Sequence, residues 1–190
     1  MLKGFYTLAS GMLSQNRNLN TISNNMANVS TPGYKRDTLV SKTFQEELLY
    51  RTGNKDKSGS KPLNTSSMIR TIDESVTNYT QGVFEETDRP LDFAIVDKGF
   101  FEIQTDEGSL YTRNGSFTLD DEGYLSLQHV GRVMGENGPI LLNTDKINVD
   151  STGTIYSEEG EELGIIKVVD FNDYNQLSKI NEGMFRNNDI

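Results

Sequence analysis

Between Phe5 and Val29 apolar residues return in a strict heptad rhythm, and this rhythm constrains the chain more than any other feature. Taking Phe5 as position a, the a/d pairs are Phe5/Leu8, Met12/Gln15, Leu19/Ile22 and Met26/Val29, so only Gln15 breaks the seam. The spacing predicts an amphipathic helix over residues 2–29, about 40 Å long at 1.5 Å per residue. Its other faces carry Ser14, Asn16, Arg17, Asn18, Asn20, Asn24 and Asn25, which are polar but hardly charged. Asparagine is a poor helix former, so the helix needs a packing partner to persist. The partner is either the rest of this chain or other helices. Uncharged amide-rich faces suit close multi-helix packing. The seam Leu2, Phe5, Leu8, Met12, Leu19, Ile22, Met26 and Val29 is therefore read as an assembly interface.

The helix must stop near "NNMANVSTPGYKR". Pro32 drives Thr31 out of the α region, and Pro-Gly favours a turn with positive φ at Gly33. Beyond it, residues 31–67 read as a turn and an irregular linker, because "TGNKDKSGSKPLNTSS" is rich in Gly, Ser, Lys and Asn. From residue 68 to 190 the pattern changes to short aromatic and β-branched runs such as "GFFEIQT", "SLYTR", "YLSLQH" and "LGIIKVVDF", cut by Gly-centred turns. That predicts a mainly β fold: an antiparallel, twisted β domain behind a long N-terminal helix at 1–30. Asn114-Gly115, between two such runs, carries the strongest short-range hairpin signal.

Composition excludes several chemistries. The chain has no cysteine, so disulfides, thiolate metal sites and cysteine nucleophiles are ruled out. Its opening lacks the apolar run of a cleavable signal peptide, and no stretch approaches a membrane span. Residues 1–70 hold 10 Lys or Arg against 4 Asp or Glu, and residues 71–190 hold 8 against 24. The acidic part would repel phosphates, so neither nucleic acid nor membrane insertion is expected.

No residue pattern nominates an active site, a metal or a cofactor. His129 is the sole histidine and reads as a partly exposed strand-end residue. Asp120, Asp121 and Glu122 before Gly123, and Glu158, Glu159, Glu161 and Glu162 around Gly160, are turn carboxylates without calcium-loop spacing. Arg89 and Asp92, around Pro90 and Leu91, are expected to form an ion pair or bonded network at the approach to the β domain. Two other classes stay open: a binding module for cell wall or a chaperone, and a wall-glycan hydrolase using two carboxylates about 5–9 Å apart.

Three motifs resemble the flagellar rod and hook proteins of the bacterial axial structure. The first is "NNMANVSTPGYK", with Asn24, Asn25, Ala27, Asn28, Thr31, Pro32, Gly33 and Tyr34 in place. The second is "QGVFEETDRPLDFAI", with Arg89, Pro90, Leu91 and Asp92. The third joins "GFFEIQT" to "YTRNGSF", with Tyr111, Thr112, Arg113, Gly115 and Phe117. The resemblance implies a non-enzymatic structural subunit with a helical axial core and an outer β domain. It also implies export by the flagellar type III apparatus and helical polymerisation with copies of itself and other rod and hook subunits in the basal body. Such proteins continue into a C-terminal heptad helix that pairs with the first. The resemblance thus implies that this chain, ending at Ile190, is truncated, a fragment or a shortened variant.

Overall fold

A computed structural model describes residues 2–51, 61–180 and 183–188, with the backbone alone for 2–4, 42–51 and 61–73. These residues form two compact units. One joins residues 1–27 to 36–79, and the other joins residues 28–35 to 80–190.

The first unit is helix α1, Leu2–Ala27, with a long ribbon of β1, Asp37–Arg51, and β2, Lys61–Thr77. The strands run antiparallel from Asp37 opposite Thr77 to Arg51 opposite Lys61, with register shifts at Val40/Ser41 and Leu49/Tyr50. This corrects two expectations. The irregular linker drawn over residues 31–67 is largely paired strand, apart from residues 52–60, which lie outside the described residues. The boundary drawn at residue 68 falls inside β2, and the second unit resumes at Thr80. A two-stranded ribbon need not bury one face, so it need not alternate polar and apolar residues. The Ser/Thr/Asn content of β2 therefore hid it. Pro62, which cannot donate to a ladder, is the second residue of β2, beside the shift at Tyr50.

The helix ends at Ala27, two residues earlier than the seam suggests, and Val29 lies in the turn beyond it. Among the described residues no helix is long and apolar enough to cross a membrane.

Among the described residues, the regular structure of the second unit is β strand apart from one short 3-10 turn, Tyr174–Gln176. Its strands are β3, Phe100–Thr105; β4, Gly108–Thr112; β5, Thr118–Leu119; β6, Leu125–Leu127; β7, Gly131–Gly135; and β8, Gly138–Pro139. They continue with β9, Ile147–Val149; β10, Thr154–Ser157; β11, Glu162–Ile165; β12, Val168–Val169; β13, Leu177–Lys179; and β14, Met184–Asn187. The described residues give one sheet in the order β13-β14-β4-β3-β7-β6-β5, with β12 on β3 and β8 on β7, and a smaller sheet β11-β10-β9. All pairings are antiparallel.

Strand β3 organises the core because its alternation is buried on both faces. Phe101 and Ile103 enter a cluster with Leu91, Phe117, Leu125, Val133, Ile140 and Ile155. Phe100, on the opposite face, meets Phe185 at 5.4 Å, Tyr174 at 5.8 Å and Phe171 at 5.9 Å between ring centroids. The Phe185 and Tyr174 pairs are edge-to-face, an arrangement that adds about 0.5–1.5 kcal/mol per pair beyond area burial, and the Phe171 pair is tilted. Glu102, between Phe101 and Ile103, is buried, and its carboxylate accepts from Lys167 Nζ at 2.8 Å and from Ser109 Oγ at 2.7 Å. Burial pushes its pKa up, but these two donors and the Lys167 charge outweigh burial and hold it below the ordinary value.

Asn114-Gly115 does not make the expected hairpin. Strands β4 and β5 are not paired with each other, and neither residue has positive φ. Asn114 Oδ1 instead accepts from the Ser116 amide at 3.0 Å, an Asx turn, so local side-chain bonding displaced the I′ turn. The hairpin between β3 and β4 closes at Asp106–Glu107, with Gly108 at φ +121°.

Candidate functional site: the motif junction and the helix seam

Two features stand out: a convergence of the motifs inside the β unit, and an exposed seam on α1.

In the β unit the segment 112–117 is the meeting point. From one side the turn at residues 31–35 docks onto it. Tyr34 donates its amide to Thr31 O, and Gly33 adopts φ +67°. A Cβ at Gly33 would lie 2.2 Å from the carbonyl oxygen of Arg113, so both the conformation and the close approach require glycine. Lys35 follows and is only 6% exposed. Its Nζ donates to Thr80 O at 2.9 Å, and its own carbonyl accepts from Lys179 Nζ at 2.6 Å. The Lys179 ammonium also sits 4.0 Å from the centre of the Tyr34 ring. Burial, and then the nearby Arg113 charge, push the Lys35 pKa down.

From the other side comes the Arg89–Asp92 segment. Phe93 donates its amide to Gly115 O at 2.9 Å, and Phe117 donates to Leu91 O at 3.2 Å. A Cβ on Gly115 would lie 1.8 Å from Phe93 O. Arg89 donates to Ser116 Oγ and Phe117 O and lies 3.7 Å from Asp92 Oδ1, while Thr87 Oγ1 donates to Asp92 Oδ2. Leu91 is buried in the core and Pro90 is exposed.

Between the two, Thr112 is fully buried. Its hydroxyl donates to Gly183 O and accepts from the Asn114 amide. Tyr111 stacks edge-on against Phe171 at 4.8 Å, and the Arg113 guanidinium lies 5.3 Å above the Phe100 ring and reaches Gln81 Oε1.

Residues of all three motifs, scattered over about eighty positions, thus meet around one short segment. The asparagines divide differently. Asn25 belongs to the first unit, where its side chain donates to Asp37 O at 2.8 Å and accepts from the Asp37 amide at 3.1 Å. Asp37 in turn accepts from Thr77 Oγ1 at 2.7 Å, which ties the helix to both strands of the ribbon. Asn24 and Ala27 are exposed, while Asn28 and Thr31 are half-buried. The sequence reading quoted Lys35 at the end of the first motif without giving it a role, and it missed Thr80 and Lys179. Lys179 joins from 144 positions away, beyond the reach of any local pattern.

On α1 the half-buried positions are Thr7, Ser10, Gly11, Ser14, Thr21 and Asn25, small residues that let the helix lie beside the β1–β2 ribbon. The apolar seam faces elsewhere, roughly 130° around the helix at 100° per residue. Phe5, Leu8, Met12, Leu19, Ile22 and Met26 are between 51% and 72% exposed, and Val29 in the following turn is 82% exposed. The side chain of Leu2 lies outside the described residues.

The carboxylate clusters do local work. Asp120 Oδ1 accepts from the amides of Glu122 and Tyr124, and Arg132 bridges Asp120 and Glu122. Glu158 faces Lys146 at 3.9 Å. His129 is exposed in a turn at φ +61°. Among the described residues no group of three His, Asp or Glu gathers to hold a metal.

Comparison with known proteins agrees with the motifs. Residues 5–35 match the family described as flagella basal body rod protein, and residues 94–157 match the flagellar hook protein FlgE/F/G D1 domain. Flagellar hook-basal body complex protein FlhO of Bacillus subtilis (strain 168) is 31% identical over 175 residues, covering 83% of this chain and 62% of that protein. Flagellar basal-body rod protein FlgG of the same organism is 32% identical over 200 residues, covering 98% of this chain and 74% of the relative. Flagellar basal-body rod protein FlgF of Caulobacter vibrioides is 28% identical, over 98% of this chain and 74% of its own. The hydrolase and the wall- or chaperone-binding module find no support in these relatives. With its rod-family helix and turn, its D1-family β unit and its near full-length likeness to FlgG, this chain belongs to the flagellar basal-body rod protein family.

Proposed function

We propose that the chain is a non-enzymatic structural subunit of the flagellar basal-body rod, joining its neighbours by burying the α1 seam. The observation that carries this reading is the orientation of the helix. Its small polar stripe is half-buried, while Phe5, Leu8, Met12, Leu19, Ile22 and Met26 remain exposed in one row. A row of six large apolar side chains is costly to leave in water. Each contributes about 1.5–3 kcal/mol when fully buried, before the losses of association. Helices of other copies, or of related rod and hook subunits, are the surfaces that match it. Head-to-tail contacts that do not close into a ring generate a helical rod. Export by the flagellar apparatus belongs to the same reading.

In the β unit the motif junction serves this function by fixing the Gly33–Lys35 turn that follows the helix. The experiment substitutes Leu19→Asp or Met26→Asp and follows polymerisation by sedimentation, with circular dichroism reporting the β unit. Loss of polymer with an intact β signal is expected. Normal polymer from both variants would remove the seam from the assembly mechanism.

A further inference from the structure

Strand β9 leaves one edge of the β unit unpaired. It ends the small sheet β11-β10-β9, and among the described residues no strand and no backbone hydrogen bond lies on its outer side. The ladder shows which groups face that side. Ile147, Asn148 and Val149 stand opposite Ser157, Tyr156 and Ile155, and one step further the Asp150 amide donates to Thr154 O at 3.1 Å. Bonded and non-bonded pairs alternate along an antiparallel ladder, so Asn148 is the residue bonded to Tyr156, while the N–H and C=O groups of Ile147 and Val149 point away from β10. Asn148 and Val149 are exposed there, and Ile147 is half-buried against the core.

The residues along this edge complement themselves. Alternation puts Lys146, Asn148 and Asp150 on one face and Ile147 and Val149 on the other. Reversed about Asn148, the run "KINVD" sets lysine opposite aspartate and isoleucine opposite valine. Lys146 is exposed, with only a loose contact of 3.9 Å to Glu158. Thr152 and Thr154 donate to Asp150 Oδ1, which fixes the carboxylate and leaves Oδ2 to accept from a cation.

We propose that two copies of this chain pair antiparallel through their β9 edges, with Asn148 opposite Asn148 on the two-fold axis. Ile147 and Val149 of one copy exchange ladder bonds with Val149 and Ile147 of the other, which satisfies the outward backbone groups and covers Val149. Lys146 meets Asp150 in both directions. Residues 71–190 hold 24 Asp or Glu against 8 Lys or Arg, so two β units repel at a distance, and these reciprocal pairs select the register. The contact joins one surface to itself, so it closes at two copies pointing opposite ways, whereas a head-to-tail rod points all its copies one way. The pair is a state of the dispersed chain, separate from the helix seam.

The cysteine-free sequence gives a clean test. Across a non-bonded antiparallel pair the Cα atoms lie about 4.5 Å apart, within disulfide reach, so Asn148→Cys chains should cross-link to each other under mild oxidation. Ser151→Cys is the control: the residue is exposed in the following turn, and the proposed register puts it roughly 20 Å from its counterpart. A site held at contact distance has a raised effective concentration, so at least about tenfold more disulfide dimer is expected from Asn148→Cys than from Ser151→Cys. Adding Lys146→Glu to the Asn148→Cys chain sets a carboxylate against each Asp150, and the yield should fall about threefold or more. Both effects should persist in the Leu19→Asp background, where sedimentation should show dimers and nothing larger. Equal yields at the two positions, a yield indifferent to the charge at 146 in folded chains, or a cross-link lost with Leu19→Asp would overturn the proposal. If circular dichroism shows that Lys146→Glu disturbs folding, the ratio of the two cysteine yields decides.

Discussion

Replacing Gly115 by alanine isolates the junction between the Arg89–Asp92 segment and the 112–117 segment. Gly115 does not have positive φ, so alanine meets no conformational penalty of its own and the effect is one of space. The new methyl would lie 1.8 Å from Phe93 O, 2.7 Å from Phe93 C and 3.2 Å from Phe101 Cε2. Two of these atoms are backbone, which cannot rotate away, so the two segments must separate. Separation loses the Phe93 N→Gly115 O and Phe117 N→Leu91 O bonds. At about 1 kcal/mol each they account for roughly 2 kcal/mol, and forced repacking around Phe93 and Phe101 adds about 1–3 kcal/mol. A loss of about 3–5 kcal/mol corresponds to roughly 10–20 °C in the melting of a unit this size. Gly164→Ala is the control, because its methyl would meet nothing closer than Ile140 Cγ2 at 3.6 Å, and φ there is not positive. Thermal and urea unfolding followed by tyrosine signals should rank Gly115→Ala far below Gly164→Ala and wild type. A Gly115→Ala protein within about 1 kcal/mol of wild type would show that the close approach does not constrain the junction.

Gly33→Ala combines left-handed strain of about 1–2 kcal/mol with a 2.2 Å contact to Arg113 O, so the 31–35 turn should detach. Trypsin cleavage after Lys35 would then accelerate by about tenfold or more, and an unchanged rate would refute that docking. Glu102→Gln should cost about 1–2 kcal/mol at neutral pH by weakening the Lys167 and Ser109 bonds. Because the folded carboxyl titrates below its ordinary 4.5, its stability contribution is present above that value and lost as pH falls through the folded value. The variant should show a shallower acid slope below about pH 4.5 than wild type, and identical slopes would refute the pairing.

Where one face is buried against a partner of matching period, the sequence was informative. The strands around Phe100–Thr105 were legible because their alternating pattern follows directly from burial, and α1 was legible because its apolar residues recur at helical spacing, although that row is exposed. The ribbon was not legible, because β1 and β2 pair through backbone bonds without requiring an alternating pattern. Asn114-Gly115 misled for a different reason: an Asx turn and a close approach to Phe93 each use the same dipeptide. The motif residues could be named from sequence, but not their meeting around Thr112–Phe117, which depends on Lys179 and Gly183 far along the chain.

Methionine oxidation tests the assembly claim most directly. Met12 and Met26 are 72% and 70% exposed on the seam, and thioethers in open solvent are readily oxidised. Brief peroxide treatment followed by peptide mass spectrometry measures both rates in the dispersed chain and in assembled rods. The account predicts fast oxidation when dispersed and at least about tenfold protection of both residues in the rod. Equal rates in the two states would show that the seam remains in water after assembly, contradicting the claim that its burial holds the subunits together.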